Sequence, residues 1–394
     1  MSAKDRWLLP EGIEEVLPDD AQWLESLRRK VLDLFATWGY EFVMPPMIEY
    51  LDALLTGAGK ELDLQTFKVT DQLTGRLMGV RPDMTPQAAR IDAHYLKRTV
   101  PVRLCYVGSV LHTRPDNLAS SREPLQLGAE LFGHAGPESE AEILCLMVTT
   151  LRLAGIERLH IDLGHSGVFR GLVAAAGLTE DQEEQLFEAL QCKAQPAMTA
   201  LLEHFGVDGK SKQMLMRLVE LNGGSEALRE AKRDLKAAPP SVQQALDNLA
   251  SVVAAVQQRM PELTLHFDLA ELAGYSYYTG VVFSAFVPAY GRAVARGGRY
   301  DGIGKAFGRA RPATGFSTDL RLLRKLSPDD ETVRTGILAP CDGDADLYSE
   351  ISRLRELGEC VVISLPGTTA TPADMGCDRK LVRRDSGWVV VAEE

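Results

Sequence analysis

Apolar positions along the chain repeat in two rhythms. Trp23, Leu24, Leu27, Val31, Leu34 and Phe35 recur at three- and four-residue steps, which predicts a helix after Pro18-Asp19-Asp20, where the carboxylates suit a helix N-terminus. Gly39 closes that helix, and 41–48 reads as a strand broken by Pro45-Pro46. Prolines cannot donate to a ladder, so this strand belongs at an edge or interface. Shorter runs with strand character follow at 66–70, 76–80, 102–111 and 125–132, separated by turn residues, which favours an antiparallel sheet. A helix over 139–153 and a strand over 159–163 come next.

From 168 to 260 helix formers dominate and no strand pattern survives, so this stretch reads as an inserted helical module. Strand patterns resume at 263–269 and 281–287, and Ser327-Pro328-Asp329-Asp330 is a polar linker signal. The tail shows strand, helix and strand at 335–338, 347–357 and 361–365. The pattern therefore predicts an α+β fold: a core over 1–326 with an antiparallel sheet flanked by helices, and a short α/β domain over 327–394.

Composition narrows the classes. With 45% apolar and 25% charged residues among 394, the chain is an ordinary globular protein. The net charge of −12 opposes nucleic-acid binding. Apolar runs are too short for a membrane span. The first fifteen residues carry Asp5, Glu11, Glu14 and Glu15, unlike a signal or transit peptide, so a cytoplasmic location is expected. Cys105, Cys145, Cys192, Cys341, Cys360 and Cys377 lack zinc-knuckle or redox spacing and read as buried free thiols. The histidines at 94, 112, 134, 160, 165, 204 and 266 form no linear ligand set, so neither a metal nor a cofactor is expected.

Four segments have chemistry to offer. Gly297 to Lys305 is glycine-dense but lacks the residues of a phosphate loop or a dinucleotide fingerprint, which leaves turns and close strand packing. In Val80-Arg81-Pro82-Asp83-Met84-Thr85-Pro86, Thr85 at the N-cap and Pro86 at the first helical position explain each other, and Asp83 is an additional carboxylate able to meet an ammonium group. Gln126, Gly128 and Glu130 share one strand face, a polar floor with room above it unless that face is simply solvated. Tyr275, Tyr277 and Tyr278 supply three hydroxyls in need of partners.

Taken in order, these segments resemble the catalytic domain of histidyl-tRNA synthetase and, more closely, its paralogue family, the regulatory subunits of ATP phosphoribosyltransferase. The likeness runs over about residues 8 to 325 through Arg81-Pro82-Asp83-Met84-Thr85-Pro86, Arg114-Pro115-Asp116, Gln126 to Gly133, Gly274 to Gly280, Gly297 to Gly302 and Arg309 to Phe316. The resemblance implies a class II synthetase-like fold. It also implies a histidine pocket from Asp83, Thr85, Gln126, Glu130, Tyr275, Tyr277 and Tyr278. His112 and Arg114, set side by side by strand alternation, would offer cations to the ligand carboxylate.

The departures point away from catalysis. The synthetase arginine that holds the activated carboxylate and α-phosphate falls on His112, and the glutamate two residues later on Arg114. The adenine-stacking aromatic falls on Pro124, the histidine-specific arginine on Ala273, and the last-motif arginine on Leu322. Each lost preorganised donor typically costs about 10²–10³ in rate, so adenylation should be absent. The acidic tail, with seven basic against twelve acidic residues from Glu331 to Glu394, does not suit RNA reading. What remains, by resemblance, is a non-catalytic subunit of histidine biosynthesis. It would activate the short-form catalytic subunit, relay feedback by L-histidine, and form a homodimer within a hetero-octamer. The competing expectations are an active histidyl-tRNA synthetase with an unusual pocket, or an amino-acid sensor on the same fold.

Overall fold

The computed structural model describes residues 7–56, 60–115, 121–272, 274–275, 277–288, 290–328, 336–367, 371–385 and 387–392. The chain divides into two compact units, Met1–Pro328 and Asp329–Glu394.

In the first unit the strands are β1 (Glu41–Phe42), β2 (Ile48–Tyr50), β3 (Phe67–Thr70), β4 (Leu77–Val80), β5 (Val102–Ser109), β6 (Leu125–Phe132), β7 (His160–His165), β8 (Asn222–Gly223), β9 (Leu265–Asp268), β10 (Val281–Val287), β11 (Tyr290–Arg299) and β12 (Ala313–Asp319). Nine of them form one sheet in the order β1-β5-β6-β12-β11-β10-β7-β9-β8, and β2-β4-β3 form a small second sheet. The expected antiparallel pairing holds through the centre, but β1–β5 and β7–β9 pair in parallel, so the sheet is mixed. The expected strand over 41–48 splits at Pro45-Pro46, and the chain passes there from one sheet to the other. Freed from ladders, the Pro45 and Pro46 carbonyls accept from Arg81 Nη1 at 2.6 Å and Gln87 Nε2 at 2.8 Å.

Alternation along β6 sets the layers. Leu127, Ala129 and Leu131 pack into the main core with the helices Pro18–Thr37, Pro137–Leu153 and Pro240–Arg259. Gln126, Gly128 and Glu130 face the other way. There a smaller core of Met84, Ala88, Tyr106, Tyr300 and Ile303 lies beneath the helix Thr85–Arg90. Between β7 and β9 lie six α-helices, from Ser166–Ala175 to Pro240–Arg259, and one 3₁₀ turn at Leu218–Glu220, interrupted only by the two-residue β8, which the helical reading of this stretch did not anticipate. β11 and β12, at the sheet's centre, were also not anticipated. β5 ends at Ser109 rather than at 111.

The second unit is a four-stranded sheet in the order β14-β13-β15-β16, made of β13 (Gly336–Ala339), β14 (Cys360–Ile363), β15 (Arg379–Arg384) and β16 (Gly387–Ala392). Leu347, Ile351 and Leu354 of the helix Ala345–Glu356 pack on Ile337, Val361 and Leu381. The β15–β16 hairpin goes beyond the strand-helix-strand pattern read from the sequence. No helix among the described residues is long and apolar enough to cross a membrane.

Candidate functional site

The register of the central strands assembles the site: Glu130 lies opposite Gly315 on β12, and Gly128 lies between Ser317 on β12 and Tyr106 on β5. A Cβ on Gly315 would sit 1.5 Å from Glu130 Oε2, and one on Gly128 would sit 2.4 Å from the Tyr106 ring and hydroxyl. Both glycines are therefore required for side chains to lie flat across the sheet, and the room expected above Gly128 is filled by Tyr106. The Tyr106 hydroxyl donates to the Glu130 carboxyl at 2.8 Å, and the Tyr300 hydroxyl donates to its other oxygen. Burial pushes Glu130 up to about 8, against the opposing pull of the two tyrosine donors and with a further push from the Asp83 charge.

A chain of hydrogen bonds leads outward from this buried carboxyl. The Thr85 hydroxyl lies 2.8 Å from Tyr106 Oη and 3.0 Å from Asp83 Oδ1. Asp83 Oδ1 also accepts from Thr85 N at 3.0 Å and Gln126 Nε2 at 2.6 Å. Asp83, rather than Thr85, thus serves the start of the helix, which begins at Thr85 itself. Asp83 Oδ2 accepts no hydrogen bond from the described residues. Asp83, Gln126 and His112 line a cavity of about 260 Å³, on the small side for a ligand site and suited to a small metabolite.

The other expected site residues are placed differently. Tyr277 stacks on Tyr300 at 5.0 Å and meets Tyr278 edge-on at 5.4 Å, none of the three lines the cavity, and the buried Tyr277 hydroxyl has no partner among the described residues. Tyr275 turns away: its hydroxyl donates to Glu183 and its ring stacks on Phe187 at 4.5 Å, within the helical insertion. Because the chain leaves β5 after Ser109, His112 and Arg114 are not strand neighbours. His112 Nε2 contacts the Pro82 carbonyl at 2.9 Å, and Arg114 is exposed. Ala273, Ser276 and Asp116 lie outside the described residues.

A second cavity, of about 240 Å³, adjoins the first and shares His112, Pro124 and Asp319 with it. Its wall also carries Leu322, so three of the departures from the synthetase pattern, His112, Pro124 and Leu322, meet in one place. Carboxylates enter the same space from the N-terminal segment: Arg324 pairs with Asp20 at 2.8 Å and Lys325 with Glu14 at 3.3 Å, while Arg321 pairs with Glu123 at 3.3 Å. Tyr106, Tyr300, Arg296 and Arg321 escaped the sequence reading. The period-two alternation over 290–299 was the available signal for Arg296.

Two other expectations change. Cys105 and Cys145 are buried, which pushes their thiols up to about 12 and about 11, but Cys192, Cys341 and Cys360 are exposed. Linear spacing showed no histidine ligand set, yet the pairing of β7 with β9 gathers His160, Asp162 and His266.

Comparison with known proteins agrees with this geometry. The histidyl-tRNA synthetase family model matches residues 12–323, and the model described as ATP phosphoribosyltransferase subunit HisZ C-terminal domain matches 334–391. The ATP phosphoribosyltransferase regulatory subunit of Alkalilimnicola ehrlichii is 57% identical over 98% of this chain and 98% of its own length. The structure of an ATP phosphoribosyltransferase regulatory subunit/histidyl-tRNA synthetase from Bacillus halodurans superposes with a TM-score of 0.84 at 28% identity, covering 95% of this chain and 97% of that one. Histidyl-tRNA synthetase from Nostoc shares the fold, with a TM-score of 0.80 at 19% identity over 98% and 97% of the two chains. With a core that matches the histidyl-tRNA synthetase family model, a tail that matches the HisZ C-terminal domain model and a full-length relative at 57% identity, this chain belongs to the ATP phosphoribosyltransferase regulatory subunit family.

Proposed function

We propose that this chain acts without chemistry of its own, as the regulatory subunit that activates a short-form ATP phosphoribosyltransferase catalytic subunit and carries histidine feedback to it. The observation that carries this reading is the second cavity. Adenylation needs fixed cations around a pentacoordinate phosphate. Here His112, Pro124 and Leu322 stand at the nucleotide-contacting positions, and Glu14, Glu15, Asp20 and Asp319 line the same space. Arg292, Arg296, Arg321, Arg324 and Lys325 line it as well, but the last three are engaged by Glu123, Asp20 and Glu14, so few of these cations are free to hold a polyphosphate.

The first cavity retains what a small zwitterion requires. Asp83 offers an oxygen to an ammonium group, and Gln126 holds that carboxylate in place. The Tyr277 hydroxyl, buried beside Tyr300 and outside the lining of this cavity, lacks a partner at a cost of about 1–3 kcal/mol, which a ligand's polar ring extending beyond the cavity would relieve. L-Histidine meets both demands. Trp7, Leu17, Met44 and Ile48 are exposed apolar side chains flanking the first helix and the proline-broken edge, which supports a homodimer through this surface inside a hetero-octamer.

Mixing the purified chain with the catalytic subunit tests the proposal. The regulatory reading expects no transferase activity from this chain alone and a rise in the partner's turnover that histidine reverses. A partner whose kinetics do not change overturns it, as does ATP–pyrophosphate exchange by this chain alone.

A further inference from the structure

On the same sheet face as the pocket, but at the far end of the sheet, three metal-ligating side chains converge. β7 and β9 run parallel with Asp162 opposite His266, and His160 stands two residues before Asp162 on the same face. Asp162 Oδ1 lies 2.8 Å from His160 Nε2 and 3.0 Å from His266 Nδ1. One donor atom from each residue falls within a 4.8 Å cluster. The row continues across the sheet through Ser284, Arg296, Ser317 and Gly128. At about 4.8 Å per strand, Asp162 is roughly 19 Å from Gly128, too far to belong to the amino-acid pocket.

We propose that His160, Asp162 and His266 form a binding site for a divalent late first-row transition metal, with zinc as the representative ion. Two imidazoles and one carboxylate are the nitrogen and oxygen donors such ions favour. Zinc bonds to these groups are about 2.0–2.2 Å long, so donors now held at hydrogen-bonding distance need to open by only a few tenths of an ångström. His160 remains half-exposed, which leaves one side of the ion to water. All three ligands sit on paired strands, and a rigid platform of this kind needs little reorganisation on binding.

The position gives the ion a role. β7 ends at His165, where the helical insertion leaves the sheet, and β9 begins at Leu265, where the chain returns. Asp162 and His266 are 104 residues apart in sequence. A metal joining them would clip both roots of the insertion together. Because the strand pairing that gathers the ligands exists only in the folded form, binding stabilises that form by mass action.

The test uses the full-length chain, stripped with a chelator and then titrated with zinc chloride by calorimetry and with cobalt chloride by visible absorption. The expected result is one ion per chain, intense cobalt d–d bands of low-symmetry nitrogen–oxygen coordination, and a thermal midpoint that rises with zinc. His266→Gln and the double variant His160→Ala/His266→Ala should each lose at least tenfold in affinity and lose the bands, with a metal-free melting curve that confirms folding. Stoichiometric binding that persists in the double variant overturns the site, because the exposed cysteines would then be the ligands. Absence of saturable binding to the unaltered chain overturns it equally.

Discussion

The Tyr106 hydroxyl donates to the Glu130 carboxyl across 2.8 Å, and neither residue reaches solvent, at 0% and 1% exposure. Burial disfavours the charged form by more than the Tyr106 and Tyr300 donors favour it, which pushes Glu130 up to about 8.

That contact sets a pH dependence. The folded state lifts Glu130 from 4.5 to about 8, so folding takes up a proton between these values. The stability this group contributes is complete below about 4.5 and is lost as pH rises to about 8, with a total on the order of a few kcal/mol. Urea unfolding of the unaltered chain should therefore show a decline between pH 5 and pH 8.5. Glu130→Gln, which has no proton to lose, should flatten it. Parallel profiles for the two proteins would remove the argument.

Gly128→Ala tests the flat packing over β6. The added methyl would meet the Tyr106 ring at 2.4 Å, and that ring cannot retreat because its hydroxyl is bound to both Thr85 and Glu130. Overpacking of this kind costs about 1–3 kcal/mol, read as a lowered denaturation midpoint. A substitution without effect would mean that Tyr106 does not lie over Gly128.

These glycines also explain what the sequence hid. β5, β6 and β10 were legible because apolar residues dominate them. β11 and β12 were not, although they form the sheet's centre: their pocket-side positions include Arg296, Gly298, Gly315 and Ser317, where backbone approach and polar contact replace hydrophobic signal. The alternation of Gln126, Gly128 and Glu130 was readable from period two alone. What filled the space above them was not, since Tyr106 and Tyr300 come from 24 and 170 residues away from Glu130. His160 and His266 were likewise invisible as a pair until β7 and β9 met. Arg114 and Tyr275 were carried into the pocket by motif position, but local chain direction turned them out of it.

Arg299 ties the end of β11 to the helix Pro137–Leu153. Its guanidinium reaches Glu140 at 2.6 and 2.7 Å, Ser139 Oγ at 2.9 Å and the His134 carbonyl at 3.2 Å. Glu140 is fully buried, so Arg299→Ala strands a carboxylate and should cost about 3–5 kcal/mol in urea unfolding. Lysine cannot reproduce the two-pronged contact, and Arg299→Lys should recover little. Replacing the pair together, as Arg299→Met with Glu140→Leu, should cost less than Arg299→Ala alone. A loss below about 1 kcal/mol for Arg299→Ala would contradict a buried, structurally required pair.

Returning the lost arginines should not restore catalysis. His112→Arg with Leu322→Arg puts two guanidinium groups back into the second cavity, but Pro124 still stands at the adenine-stacking position and Ala273 at the position of the histidine-specific arginine. ATP–pyrophosphate exchange with histidine should stay at background in this double variant. Exchange that clearly exceeds the unaltered chain would show that these two arginines were all that the site lacked.

Asp83 and Tyr277 separate the amino-acid pocket from any other histidine site. Asp83→Asn retains the oxygen that accepts from Thr85 and Gln126, so the helix start survives while the negative charge is lost. A charged hydrogen bond to an ammonium group is worth about 1.5–3 kcal/mol, which corresponds to roughly 10- to 150-fold weaker histidine binding by calorimetry. Tyr277→Phe removes a buried hydroxyl that has no partner among the described residues. The ligand-free protein should then unfold at a higher urea concentration, whereas histidine, deprived of that partner, should bind more weakly. The opposite directions of these two effects are the signature, because damaged packing would lower both. Histidine heats unchanged in both variants would place the effector elsewhere in the complex.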